Sequence, residues 1–244
     1  MITEKEQKQI KQIENIYYMP PILSKLNKRI RKVGIEKVLD YAFYILQESK
    51  DDIEKLLDSR IQSGEITDKG QARKSIVGAA FSNLIMYTFL KIKEQGLVSE
   101  DIFITNKTTN FKNMVAIEVD GETQKPDMDL IIYSQHKDCS INKIMIISLK
   151  TSLRERAGQT YKWKLLLEIA TTDNPIKKKY NIRYDVSKMP IVCFATVNFY
   201  NEIKSPQHRG MFKFFDNSFI GKPLNEDFIN NLSDLIPYAN QILV

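Results

Sequence analysis

The chain has 244 residues, of which 43% are hydrophobic, so it can bury the core of one sizeable domain with an appended subdomain. Lysine and arginine number 36 against 30 acidic residues, a basic balance that favours contact with a polyanion without identifying one. Cys139 and Cys193 lack metal-ligand spacing, which argues against a disulfide framework and a structural zinc site. The polar N-terminal segment, and the expectation that no segment reaches the length of a membrane span, predict a soluble cytoplasmic protein.

Helical spacing dominates the first hundred residues. Apolar residues recur every three or four positions in residues 38–47 and 51–61, and a longer buried helix is predicted to end near Gly96. Beyond residue 100 the pattern predicts strands at 101–105, 114–121, 128–134, 143–150 and 189–199, a helix at 159–171 and a basic loop at 175–183. We therefore predict an α/β fold with a mixed α+β sheet, in which residues 1–68 form an N-terminal helical subdomain and residues 69–244 form the core.

Polar residues are predicted to converge at one edge of this sheet. Asp127 and Asp129 share a face at the start of one strand, while Ser148 and Lys150 share a face at the end of the next, with Leu149 turned into the core. If the two strands are neighbours, Asp127, Ser148 and Lys150 come together and offer an oxygen ligand for a hard divalent cation beside an ammonium group. Such a set suits phosphodiester hydrolysis, because a metal stabilises developing charge while the lysine orients or activates water.

The residues Pro126-Asp127, twenty intervening positions and Ser148-Leu149-Lys150 resemble the PD-(D/E)xK motif of type II restriction endonucleases. The resemblance implies a PD-(D/E)xK restriction-endonuclease-like core with Mg²⁺ as the cofactor. It further implies that Asp127 and the backbone carbonyl of Leu149 bind the metal and that Lys150 orients the attacking water.

Ser148 departs from this motif, which carries an acid at that position. A subset of restriction endonucleases with CCGG targets shows the same departure, with a small residue there and a glutamate supplied by the following helix. The resemblance therefore implies Glu168, on the predicted helix, as the second catalytic and metal-binding acid.

The triplet Arg154, Glu155 and Arg156 resembles the segment with which CCGG-recognising enzymes read bases. Arginine can bond guanine O6 and N7, and a carboxylate can accept from the cytosine N4 amino group. With the downstream YKWKLLLEIA, the sequence is similar to the BsaWI-like enzymes over roughly residues 110–200. This implies a prokaryotic, cytoplasmic type II restriction endonuclease that cuts double-stranded DNA at a palindrome with a CCGG core and leaves 5′ overhangs. A palindrome presents two equivalent half-sites, which implies a homodimer.

Simpler interpretations stay open for each motif. Asp127 can be a turn residue, Ser152 and Glu155 can form a helix capping box, and Glu168 can be a surface residue. Two other functions also stay open: a structure-specific PD-(D/E)xK nuclease in junction resolution or repair, and a non-catalytic DNA-binding protein on the same scaffold. The Arg-Glu-Arg triplet argues against the first, and the second requires that no acid replaces the one missing at Ser148.

Overall fold

The computed structural model describes residues 2–153, 157–186, 188–224 and 226–244, and helices fill the first hundred positions. A capping box starts the first helix, because Thr3 and Glu6 each accept from the other's backbone N–H. The helices are α1 (Glu4–Glu14), α2 (Met19–Val33), α3 (Ala42–Glu48), α4 (Lys50–Gln62) and α5 (Lys69–Glu94), with a 3₁₀ turn at Val38–Tyr41 before α3. The helical character predicted for this part of the chain is confirmed.

Helix α5 runs through the centre of the protein. The Asp68 side chain caps its N-terminus by accepting from the backbone N–H of Gln71, and the chain turns away at Gly96, whose φ of 79° lies in the left-handed region. Of the helices in the described residues, α5 alone is long and apolar enough to cross a membrane. The expectation that no segment reaches that length is therefore wrong. Because 67% of its apolar window is buried inside the protein, α5 has the surroundings of a core helix.

A mixed sheet follows in the order β1-β4-β5-β7-β8-β9, counted over the described residues. Its strands are β1 (Ile102–Thr105), β4 (Leu130–Gln135), β5 (Ile141–Lys150), β7 (Ile191–Thr196), β8 (Asn217–Ile220) and β9 (Asn230–Asn231). The pairs β1–β4 and β4–β5 are antiparallel, whereas β5, β7, β8 and β9 run parallel. The predicted mixed α/β class is confirmed.

The parallel strands end together at one edge of this sheet. Lys150, the last residue of β5, pairs in register with Thr196 of β7, which in turn pairs with Ile220 of β8. The carboxyl ends of parallel strands are a common place for functional groups, because the loops that leave them all start from the same side.

A smaller sheet and four further helices complete the described structure. The sheet has the order β3-β2-β6, with β2 (Ile117–Val119), β3 (Glu122–Gln124) and β6 (Ile182–Arg183). The helices are α6 (Ala157–Thr171), α7 (Pro175–Lys179), α8 (Pro206–Phe212) and α9 (Leu235–Leu243). Two local predictions are wrong: residues 175–183 form a short helix and a strand instead of a loop, and a 3₁₀ helix (Thr108–Met114) overlaps the start of the strand predicted at 114–121.

Two hydrophobic cores lie on opposite faces of the large sheet. One joins helices α1 to α5 and α9 to residues such as Ile132, Ile147 and Leu149, and the other packs α6 and α8 against residues such as Ile146 and Phe194. The predicted boundary at residue 68 falls in the loop between α4 and α5, and helices on both sides of that loop share the first core. The division into a subdomain and a core stays a prediction.

A buried ion pair fastens α1 to α5. The ammonium of Lys93, which is fully buried, donates to Glu6 Oε1 at 2.7 Å and to the carbonyl oxygens of Glu100 and Ile102 at 3.0 and 2.6 Å. Buried charges are tolerated when they are paired and hydrogen-bonded in this way. The N-terminal helix is thereby tied to the end of α5 and to β1.

Candidate active site

A lysine and two aspartates meet where β4 begins and β5 ends. The Lys150 ammonium lies 2.7 Å from Asp127 Oδ2 and 3.0 Å from Asp129 Oδ2. Asp129 Oδ2 also accepts from the backbone N–H of Leu149 at 2.7 Å, which fixes that carboxylate against the end of β5. The antiparallel pairing of Leu130 with Ile147 produces this convergence, because it sets the residues before β4 opposite the last residues of β5. Asp127, with 57% of its side chain exposed, faces solvent more than Asp129, at 32%.

The two carboxylates hold the lysine in its charged form. Burial of the Lys150 side chain opposes the charge, but the attraction of Asp129 and the hydrogen bonds that the ammonium donates to both aspartates outweigh it and raise the pKa of the ammonium above its usual value. At neutral pH the lysine is therefore a cation and hydrogen-bond donor. It is not a proton acceptor in this arrangement.

Ser148 contacts helix α6, on the face of β5 opposite to Leu149. Its hydroxyl is fully buried and shares a 3.0 Å hydrogen bond with the hydroxyl of Thr160. The predicted alternation is confirmed, because Leu149 packs into the opposite core. The α6 residue that meets the motif position is thus Thr160.

Glu168 lies further along the same helix, beside other groups. Its carboxylate is 3.4 Å from the ammonium of Lys164, which is nearly fully buried and also lies 3.0 Å from Asp216 Oδ1. Asp216 in turn accepts from the backbone N–H of Val192, at the beginning of β7. Val192 is level with Ile146, four residues before Lys150, so this cluster sits towards the opposite end of the strands. Among the described side-chain contacts, none joins Glu168 to Asp127, Asp129 or Lys150.

The chain after Lys150 is held by the loop that follows β7. The carbonyl of Thr151 accepts from the backbone N–H of Phe199 at 3.0 Å, and the N–H of Leu153 donates to Glu202 Oε2 at 2.8 Å. Asn198, in a left-handed conformation, accepts from the N–H of Glu202 and so shapes this loop. The predicted base-reading residues Arg154, Glu155 and Arg156 lie outside the described residues.

The donor set of the cluster fits a magnesium ion. Within residues 2–153, 157–186, 188–224 and 226–244, no group of three or more His, Cys, Asp or Glu side chains is arranged to hold a metal. Magnesium, however, is commonly bound through one or two carboxylates, with waters and substrate phosphates completing its octahedron. Asp127 and Asp129 supply two such carboxylates, and the bond from the Leu149 N–H to Asp129 places the Leu149 backbone next to them.

Comparison with known proteins identifies a family that this chain matches. Residues 101–238, more than half of the chain, match the family described as BsaWI restriction endonuclease type 2. The chain belongs to the BsaWI restriction endonuclease family. The matched region contains Asp127, Asp129 and Lys150 as well as the whole parallel part of the large sheet.

A curated protein from Methanocaldococcus jannaschii is similar over a longer stretch. It is named "Putative type II restriction enzyme MjaVIP", is 28% identical over 173 residues, and the similarity covers 68% of this chain and 68% of that protein. Together with the family match, this similarity supports a type II restriction enzyme, and DNA is the substrate that this family implies.

Four functional candidates in the structure were not assigned a role from the sequence, or were assigned a lesser one. Asp129 stands two positions after Asp127, so the sequence placed both on one face of the strand. In the structure Asp129 contacts Leu149 as well as Lys150, so it belongs to the cluster as fully as Asp127 does. Thr160 contacts Ser148 of β5 from 12 positions away and Glu202 contacts Leu153, just after β5, from 49 positions away, and no local pattern marks such contacts. Lys222, two residues after β8, likewise contacts Phe43 from 179 positions away.

Proposed function

We propose that the chain is a Mg²⁺-dependent type II restriction endonuclease of the prokaryotic cytoplasm that cuts double-stranded DNA at a palindromic site. A CCGG core in the target and 5′ overhangs in the products follow from the likeness to CCGG-recognising enzymes. The observation that carries the proposal is the cluster of Lys150 with Asp127 and Asp129, formed at the carboxyl edge of the sheet inside the region matched to the family.

The proposed chemistry assigns a separate task to each group. Asp127 and Asp129, with the Leu149 carbonyl, would hold Mg²⁺, which when bound acts as a Lewis acid towards the phosphate and lowers the pKa of bound water. Lys150 lies within hydrogen-bond distance of both carboxylates, so its ammonium is placed beside the phosphate that the metal would bind. Its ammonium therefore donates to a phosphate oxygen or to the attacking water and stabilises the negative charge that grows in the transition state.

For the second acid, the geometry supports Asp129 over Glu168. Asp129 touches both Leu149 and Lys150, whereas the carboxylate of Glu168 pairs with Lys164. Glu168 remains the acid that the resemblance implies, and a substitution at each position distinguishes the two assignments.

Base recognition is proposed for Arg154, Glu155 and Arg156. The supporting observation is their place in the chain, directly after a segment fixed at Leu153 by Glu202, a few residues from Lys150. A reading segment anchored this close to the catalytic lysine would couple recognition of the site to cleavage of a nearby bond.

We further propose a homodimer, because a palindrome offers two equivalent half-sites and two scissile bonds. Each protomer would then serve one half-site and one strand.

The test is a plasmid digest by the purified protein with Mg²⁺ and with EDTA, followed by sequencing of the product ends. Discrete fragments with Mg²⁺, none with EDTA and ends that share one palindrome are expected. Nicking confined to branched or damaged DNA would instead indicate a structure-specific nuclease, and DNA binding without cutting would indicate a non-catalytic protein; either result refutes the proposal. The Lys150→Ala protein is the control for contaminating nucleases.

A further inference from the structure

A second lysine lies at the same edge of the sheet as Lys150. Lys222 follows β8 by two residues and is partly exposed. Because Lys150, Thr196 and Ile220 are aligned across β5, β7 and β8, and neighbouring strands are about 4.8 Å apart, the β8 end lies roughly 10 Å from Lys150 across the sheet. Lys222 is thus close enough to Lys150 for one DNA strand to contact both lysines.

The N-terminal helical part of the chain docks immediately before this lysine. The backbone N–H of Phe43 donates to the carbonyl of Gly221 at 2.7 Å, and the N–H of Gly221 donates to the carbonyl of Thr196 at 2.8 Å. A Cβ atom at residue 221 would lie only 2.8 Å from the Cβ of Ala42, so the approach is possible because residue 221 is glycine. The start of α3 and the ends of β7 and β8 therefore form one rigid junction.

This junction holds the Lys222 ammonium between two neutral partners. It donates to Asn201 Oδ1 at 2.8 Å and lies 4.4 Å from the centre of the Phe43 ring. Asn201 is in a left-handed conformation, with φ at 55°, so the loop is shaped to present that side chain. Within the part of the chain that the structure describes, no carboxylate forms an ion pair with Lys222. Lys204, in the same loop as Asn201, differs in this respect because it pairs with Glu226 at 2.9 Å.

We propose that Lys222 binds a backbone phosphate of the DNA beside the scissile one, and that Asn201 and Phe43 position its ammonium for that contact. The proposal rests on the proposed endonuclease function and extends it, because it gives the N-terminal helical part a task in DNA binding. A cation held by neutral groups attracts an external anion with its full charge. The charge of a cation paired with a carboxylate is largely neutralised by that carboxylate. Phosphate is the anion that the DNA presents regularly along this edge.

A phosphate contact has a signature that differs from a base contact. Each neutralised phosphate releases counterions, so the logarithm of the binding constant falls with the logarithm of the salt concentration by about 0.9 per contact. The loss of one contact weakens binding to cognate and random sequences alike and reduces that slope by about 1.

The experiment compares Lys222→Gln with Lys204→Gln, a matched control that removes the same charge from a neighbouring lysine already paired with an acid. Binding of cognate and random duplexes is titrated in EDTA over a series of salt concentrations. For Lys222→Gln we expect several-fold weaker binding to both duplexes at low salt and a slope smaller by about 1, with a matching rise in the KM of plasmid cleavage. Lys204→Gln should keep the wild-type slope, and Lys222→Arg should restore most of the binding.

Three results would overturn the inference: unchanged slopes in Lys222→Gln, an equal change in both glutamine variants, or a loss confined to the cognate duplex. Asn201→Ala gives a second route, because it frees the ammonium without removing charge. It should weaken binding less than Lys222→Gln does, and wild-type affinity in Asn201→Ala would refute the positioning role. Failure of the proposed function is separate, since it appears as absence of cutting by the wild-type protein, whereas these titrations measure binding without cleavage.

Discussion

The identity of the second metal-binding acid is open to a direct test, in which Asp129→Asn is compared with Glu168→Gln. Asparagine keeps the size of Asp129 and an oxygen that can accept from the Leu149 N–H, but it removes the charge that faces Lys150. Glutamine does the same for Glu168, whose carboxylate is about half exposed and 3.4 Å from Lys164.

The expected magnitudes follow from where the two carboxylates lie. Helix α6 meets the β5 end at Thr160, whose hydroxyl is bonded to Ser148, and Glu168 comes eight residues later. At 1.5 Å per residue that is about 12 Å along the helix. The contacts of Lys164 with Asp216, and of Asp216 with Val192, show that α6 runs away from the Lys150 end of β5. The distance of about 12 Å from Thr160 to Glu168 therefore carries the Glu168 carboxylate away from Lys150.

We therefore expect Asp129→Asn to reduce the cleavage rate about 10²-fold or more, the scale for losing one preorganised charged group at a reacting phosphate. Glu168→Gln should cut at close to the wild-type rate and lose less than about 1 kcal/mol of stability, because it removes one partly exposed ion pair while Asp216 still balances Lys164.

The assay is single-turnover cleavage of a plasmid or short duplex over a range of Mg²⁺ concentrations. Circular dichroism melting of each variant checks that the fold is intact. Asp129→Asn should also need more Mg²⁺ for half-maximal rate. If Glu168→Gln loses activity 10²-fold while Asp129→Asn cuts normally, the reasoning from the contacts is refuted and the helix supplies the acid.

The remaining predictions concern catalysis, pH, recognition and stability. Lys150→Ala should abolish cleavage but leave DNA binding largely intact, as measured by gel shift, and near-normal cutting would refute the catalytic assignment. Because the pKa of Lys150 is raised above 10.5 in the folded protein, its ion pairs stabilise the fold below pH 10.5 and are lost as the pH rises through the folded-state pKa. Above pH 10.5 the wild type should therefore lose more stability in urea unfolding than Lys150→Met does, and equal losses would refute the ion-pair argument. Arg154→Ala and Arg156→Ala should each cost about 1 to 3 kcal/mol of binding on the cognate duplex and little on random DNA, whereas equal losses on both would show contacts with the backbone only. Glu6→Gln should destabilise the protein by up to about 3 to 5 kcal/mol in urea unfolding, because it leaves the buried lysine of α5 without its carboxylate; exposed Glu4→Gln is the control, and equal effects of the two would refute the burial argument.

Local sequence patterns predicted much of the fold. The alternation in residues 143–150 fixed which side chains of β5 face each core, and the structure confirms that Leu149 and Ser148 pack on opposite sides. The three- and four-residue spacing of apolar residues before residue 100 predicted the helices, because that spacing reflects the period of the α-helix itself. Residues 175–183 were predicted wrongly, since a five-residue helix and a two-residue strand are too short to show either period.

Some residues of the candidate site could be predicted from local sequence patterns and others could not. Asp127 and Lys150 were identified from the sequence because each stands beside a strand whose neighbour could be inferred, and the structure brings their side chains to 2.7 Å. The order of the strands and the path of α6 were not available from any local pattern. They determine that Thr160 contacts Ser148 and that Glu168 lies with Lys164.

The sequence by itself determined the period of each element, the polar residues at the β4 and β5 ends and the resemblance to a restriction endonuclease, because all of these depend on neighbours within a few positions. Only the tertiary structure decided that Asp129 contacts Lys150 together with Asp127, where the N-terminal helices dock and which lysine at the sheet edge forms no ion pair with a described acid. Those features depend on strand register and on helix packing between residues far apart in the chain, such as Phe43 and Gly221, which are 178 positions apart, and a contact of that range leaves no periodic signal in the chain.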